Sequence, residues 1–235
     1  MNRSQIRDKK FCGIHTWAES ERPRERILLG GGQNLTDAEL IALLLRSGTS
    51  GKDAISLSRE LLAQFGGLRG LFSANQRELI RVKGLGPAKT SVFLAVKEIS
   101  LRRLREELLS KVYVRDPRSV LDFFYASLRD QKREMFKVLF LDKGNRIVGE
   151  KTLFEGTVDE TAVHPREVVR AALEMHATNL ILVHNHPSGR TQPSGEDIEI
   201  TKTLTEACRI IGVRVLDHIV IGDNQYFSFS EHSML

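Results

Sequence analysis

Apolar positions in the N-terminal half fall in short runs, each opened by a small polar residue and closed by glycine. This is the pattern of short helices. Thr36 and Glu39 form a capping box ahead of Leu40, Ile41, Leu43, Leu44 and Leu45, and Ser47-Gly48 ends that run. Asp53 is placed to cap a second helix through Leu62, stopping near Gly66-Gly67. Ser73 is placed to cap a short third one over Glu78-Leu79-Ile80. Pro87 suits the first turn of a long helix that reaches about Leu109. That helix ends on Arg102, Arg103 and Arg105, and cations suit a helix C-terminus.

Around Ser110–Asp116 the pattern changes. Asp116-Pro117 begins a helix to about Leu128, and the period then shifts to strands. Met135–Leu141 reads as a buried strand, Asp142-Lys143-Gly144-Asn145 as a turn, and Arg146–Phe154 as the returning strand. His164-Pro165 opens a helix to about His176, and Leu180-Ile181-Leu182-Val183 is a short apolar strand. Ser194 caps a helix through about Ile211, and Val213–Ile221 and Tyr226–Phe229 close the sheet. The expectation is an all-helical domain over residues 1–110 and an α/β (α+β) domain over residues 111–235.

Composition narrows the setting. The chain of 235 residues is 41% hydrophobic, enough for a core, but no run of 18 apolar residues predicts a membrane span. The charged N-terminus has no apolar segment after it, so no secretory signal is expected. Two cysteines, Cys12 and Cys208, make neither a disulfide framework nor a metal-ligand pair. A cytoplasmic protein is expected. The net charge of +5 is unevenly placed: residues 1–110 hold 19 Lys and Arg against 12 Asp and Glu, and residues 111–235 hold 16 against 18. A basic half suits a nucleic-acid-binding module, and it equally suits a solvated basic surface.

The chemistry concentrates at the end of the apolar strand. His184 and His186 are two apart, so in a strand their side chains share a face. Asp197 follows in the first turn of the next helix, after a loop with Pro187, Gly189, Pro193 and Gly195 that can fold back. Two imidazoles and one carboxylate leave a tetrahedral position open for water, as in a catalytic rather than a structural zinc site. Ser194-x-x-Asp197 is also a capping box, which would occupy Asp197 without any metal.

His184-x-His186-Pro with Ser194-x-x-Asp197 resembles the JAMM motif of MPN-domain metallopeptidases. The wider string His-Asn-His-Pro-Ser-Gly, with Val163-His164-Pro165-Arg166-Glu167 upstream, is similar to the bacterial RadC family. Pro23-Arg24-Glu25-Arg26 and Leu35-Thr36-Asp37-Ala38-Glu39-Leu40 extend the likeness over nearly the whole chain. The resemblance implies an MPN/JAMM (cytidine-deaminase-like) mixed sheet flanked by helices, one catalytic Zn2+ on His184, His186 and Asp197, and hydrolysis of a peptide or isopeptide bond. It implies a glutamate as base: Glu134, just before the first strand and 50 positions before His184, is favoured for its place at the strand start over Glu155, at the end of the second. It implies a role for Ser194 in orienting water or holding a developing oxyanion. Asn185 departs from the Ser or Thr usual in the deubiquitinating branch, so deubiquitination is not carried over. His164, Arg166 and Glu167 match the family string without a derivable role. Asp217-His218 either supports the ligands from behind or is a satisfied core pair.

Lys83-Gly84-Leu85-Gly86-Pro87-x-Lys89 resembles the hairpin of helix-hairpin-helix DNA-binding modules. Two glycines let backbone N–H groups approach a phosphate, a helix N-terminus follows, and Lys83, Lys89 and Arg81 add charge. Such contacts would be indifferent to base sequence. A protein-docking hairpin shares this backbone. Three function classes follow: a zinc metallopeptidase with a DNA-binding module and a possible link to DNA repair, a metal-dependent nuclease, and a non-catalytic zinc-containing DNA-binding protein. Substrate identity and oligomeric state have no signature in the residues.

Overall fold

A computed structural model describes residues 17–109, 112, 117–156 and 163–235. Cys12, the N-terminal segment and most of the stretch around Ser110–Asp116, where the change of pattern falls, lie outside the described residues. The chain divides into two compact units between Glu98 and Ile99.

The first unit is helical, with α1 Pro23–Gly30, α2 Asp37–Leu45, α3 Ala54–Phe65, α4 Leu68–Ser73, α5 Gln76–Ile80 and the start of α6 Pro87–Leu109. The capping box of α2 is present in full: the Glu39 amide donates to the Thr36 hydroxyl, and the Thr36 amide donates to the Glu39 carboxylate. Asp53 caps α3, accepting from the Ser56 amide at 2.6 Å, and Gly66 ends α3 in the left-handed conformation. The cap expected at Ser73 is instead at Asn75, which forms a capping box with Glu78. Ser73 is the last residue of α4, a helix with no capping signal in the sequence, and its hydroxyl donates back to Gly70 O. Asn75 is the residue whose side chain can reach the amide three residues on. Ile41, Leu45, Leu57, Leu61, Leu71, Leu79, Leu85 and Phe93 make the core of this unit.

The second unit has helices on both faces of a five-stranded mixed sheet. Its strands are β1 Glu134–Leu141, β2 Ile147–Gly156, β3 Asn179–Asn185, β4 Arg214–Ile221 and β5 Tyr226–Ser228, in the order β2-β1-β3-β4-β5. Among the described strands only β3 and β4 pair in parallel, through the crossover helix α9 Gly195–Ile210. Strand periodicity sorts the core into two layers. Phe136, Val138, Phe140, Leu180 and Leu182 pack with α8 Pro165–Glu174 and α9 through Val168, Ala172 and Leu204. Leu139, Leu141, Ile181 and Val183 pack with α7 Pro117–Leu128 through Val120, Phe123 and Phe124. Leu108, near the end of α6, is buried in that second layer. Cys208 is free and buried on the α9 side, its thiol pushed up to about 11 by burial. No helix among the described residues is long and apolar enough to cross a membrane.

Candidate metal centre

The alternation that buries Leu180 and Leu182 against α9 puts His184 on that same face, two residues further along β3. Antiparallel pairing sets Phe136 of β1 opposite His184, so β1 starts where β3 ends and Glu134 arrives beside the histidines. The loop after His186 returns the chain to Ser194 and the first turn of α9. Glu134, His184, His186 and Asp197 thereby offer one ligand atom each, all within 4.8 Å of one another. Asp197 Oδ1 is 3.1 Å from His184 Nε2, Asp197 Oδ2 is 3.3 Å from His186 Nε2, and the two Nε2 atoms are 2.9 Å apart.

The capping and ligand readings of Asp197 are both compatible with its position. The Ser194 amide and hydroxyl donate to Asp197 Oδ2 at 2.7 and 2.6 Å, while the carboxylate still faces both imidazoles. Burial alone would raise the Asp197 carboxyl. Its bonds to His184, His186 and Ser194 outweigh that and hold it well below the usual carboxylate range. His186 is raised, first by its bond to Asp197 and against the desolvation of its ring. Burial pushes Glu134 above the ordinary glutamate range, with Asp197 and Glu196 adding to the shift and the two histidines opposing it.

Glu155 does not join the group; it lies exposed beside Arg133 at 3.7 Å. Asn185, between the two histidines, is fully buried. Its side chain accepts from the Met135 amide at 2.9 Å and donates to Arg133 O at 3.1 Å. Behind His184 lies His218, buried and lowered by desolvation, with its ring stacked on Phe229 and edge-on to Phe136. His218 Nε2 is 2.8 Å from His184 Nδ1, and His218 Nδ1 is 2.6 Å from the Thr201 hydroxyl. Thr201 was not anticipated. Its one signal is that it falls a helical turn after Asp197, on the same face. Asp217 instead clamps the chain end, accepting from Ser228 Oγ and the Ser230 amide. His164 is exposed at the N-terminus of α8, and Arg166 lies 3.6 Å from Glu167 at the surface.

A cleft of about 500 Å3 opens over the cluster, lined by Glu134, Phe136, Val163, Glu196, Glu199 and Ile200 among others. No Lys or Arg lines it among the described residues. In the helical unit, Gly84 has φ of +102°, Leu85 points into the core, and Lys83 and Gly86 are exposed. The Lys89 ammonium is engaged within its own unit, donating to Ser47 O at 2.6 Å and Gly48 O at 2.8 Å.

A mixed sheet between helices, carrying this cluster at one end, is the arrangement of a JAB-type domain. Comparison with known proteins agrees. The family model described as RadC-like JAB domain matches residues 114–234, and the one described as UPF0758 N-terminal matches residues 14–91. The UPF0758 protein of Photobacterium profundum is 46% identical over 217 residues, covering 92% of this chain and 97% of the relative. That of Pseudomonas fluorescens is 46% identical over 222 residues, covering 94% and 99%. The chain belongs to the UPF0758 family, with a RadC-like JAB domain.

Proposed function

We propose that the second unit is a zinc-dependent hydrolase of amide bonds, acting on a peptide or isopeptide link, with the helical unit as a module for the DNA backbone. The observation that carries this reading is the position of Glu134: a carboxyl raised by burial, facing His184, His186 and Asp197 at the floor of a cleft. The donor set fits zinc. Two imidazole nitrogens and a carboxylate oxygen suit a borderline ion, and both Nε2 atoms converge on Asp197. A zinc ion held by these three residues would supply Lewis acidity to the attacking water and the carbonyl. Glu134 takes the proton of that water on its carboxylate and returns it to the leaving amine. Ser194 keeps Asp197 in place through the cap and is among the residues that line the cleft.

The charge of the cleft supports an amide over a phosphodiester. Glu196 and Glu199 line it together with Glu134 and Asp197, and a polyanionic strand entering there meets like charge. The basic hairpin at Lys83, Gly84 and Gly86 supports DNA as a partner of the other unit, with Lys89 bracing the hairpin from within.

Metal analysis of the purified chain and of His184→Ala, followed by cleavage of denatured casein by wild type and Glu134→Gln, tests the reading. Zinc bound by wild type and lost in His184→Ala, with cleavage lost in Glu134→Gln, is the expected result. Equal and negligible zinc in both proteins overturns it. Chelator-sensitive cutting of DNA that disappears in Asp197→Ala would replace amide hydrolysis with nuclease activity.

A further inference from the structure

We propose that Thr201 and His218 form a directional hydrogen-bond relay that fixes the tautomer of His184, so that Nε2 presents its lone pair to the metal. This rests on the zinc reading above and assigns a task to two residues that touch neither metal nor substrate.

Direction follows from counting protons. The Thr201 hydroxyl is in hydrogen-bond contact with the backbone carbonyl of Asp197, four residues earlier on α9. A carbonyl only accepts, so Thr201 donates there, and its single hydroxyl proton is committed. The same hydroxyl oxygen lies 2.6 Å from His218 Nδ1, so that nitrogen carries the proton and donates to it. A neutral imidazole has one N–H, so His218 Nε2 is bare and accepts. The nitrogen that faces it at 2.8 Å, His184 Nδ1, must therefore donate. A neutral His184 ring then carries its lone pair on Nε2, the atom that points at Asp197 and His186.

Burial makes this arrangement stringent. Thr201 is 1% exposed, His184 1% and His218 0%, so water cannot substitute for a broken link. Phe136 and Phe229 hold the His218 ring against rotation. The relay begins at the main chain of Asp197 and ends at the ring of His184, so two of the three proposed ligands are coupled through it. His186 is oriented more simply: its Nδ1 donates to Arg190 O at 3.0 Å, so in the neutral ring Nε2 is the nitrogen left for an ion.

Two measurements on the full chain test the relay. The first needs no variant: long-range 1H–15N correlation of the histidine rings in zinc-loaded wild-type protein. His218 is expected to carry its proton on Nδ1, and a proton on Nε2 overturns the proposal. The second is zinc affinity by chelator competition. Thr201→Val keeps the shape and removes the hydroxyl, and it is expected to weaken zinc binding by about 10- to 100-fold. Thr201→Ser, which restores the hydroxyl, is expected to return the affinity to within about threefold of wild type. A Thr201→Val protein with unchanged zinc affinity overturns the relay, as does a Thr201→Ser protein as weak as Thr201→Val. Both readouts are independent of cleavage. A relay that fails while Glu134-dependent cleavage persists leaves the proposed function standing. A wild-type chain that binds no zinc removes that function while the metal-free ring spectrum still reads the tautomer of His218.

Discussion

Asn185 reaches from the end of β3 to the start of β1, where its side-chain oxygen accepts the Met135 amide at 2.9 Å. Its amide nitrogen donates to Arg133 O, so the residues on both sides of Glu134 are held by one side chain. A primary amide has both donor and acceptor and can span the two; a serine hydroxyl is too short to replace it. Asn185→Ser is therefore expected to lower the kcat of Glu134-dependent cleavage by about 10- to 100-fold with bound zinc unchanged. Steady-state kinetics alongside metal analysis check this. A parallel fall in zinc content would mean that Asn185 maintains the ligands rather than the base.

The two hairpin glycines are under different constraints. A Cβ at Gly84 would lie 2.4 Å from Thr49 Cγ2, and the residue has φ of +102°, whereas a Cβ at Gly86 meets nothing within 4 Å. Gly84→Ala is expected to cost about 1–3 kcal/mol of stability and Gly86→Ala almost none. If the hairpin approaches a phosphate, Gly86→Ala still weakens binding of a random DNA duplex, measured by fluorescence anisotropy. Unchanged DNA affinity in a fully folded Gly86→Ala protein would argue against that approach.

The two hairpin lysines separate in the same way. Lys83 is exposed, while Lys89 is spent on two carbonyls of its own unit. Lys83→Ala is expected to reduce the slope of log affinity for DNA against log salt by about one, as the loss of one phosphate contact does. Lys89→Ala is expected to lower the melting temperature and leave the slope as it was.

Glu39 ties α2 to α1 in the helical unit through its capping box and Arg26. Burial would raise its carboxyl, but the Thr36 amide and hydroxyl, with Arg26, outweigh that and hold it below the ordinary glutamate value. A carboxyl lowered on folding stabilises the protein above its unfolded value near 4.5, and that contribution is lost as pH falls through the folded value. Glu39→Gln is expected to cost about 1 kcal/mol at neutral pH and to flatten the loss of stability in acid. Urea denaturation at pH 7 and at acid pH measures both effects.

Local patterns carried most of the elements into view. Capping boxes at Thr36 and Ser194, the Pro87 start and the apolar run of β3 are short-range signals, because caps and strand alternation depend on neighbours within four residues. The same range explains Ser73: two polar residues, Ser73 and Asn75, compete within one loop, and only the helix between Gln76 and Ile80 decides which side chain meets an amide. His184, His186 and Asp197 were legible because one strand end and one helix start carry all three. Tertiary pairing decided the rest. Glu134 starts β1 and Glu155 lies at the end of β2, and only the antiparallel register of β1 with β3 brings Glu134 to the histidines. The contacts of Asn185 with β1 and of His218 with His184 join residues 50 and 34 positions apart. No local period encodes such meetings; they follow from which strands pair and which faces they bury.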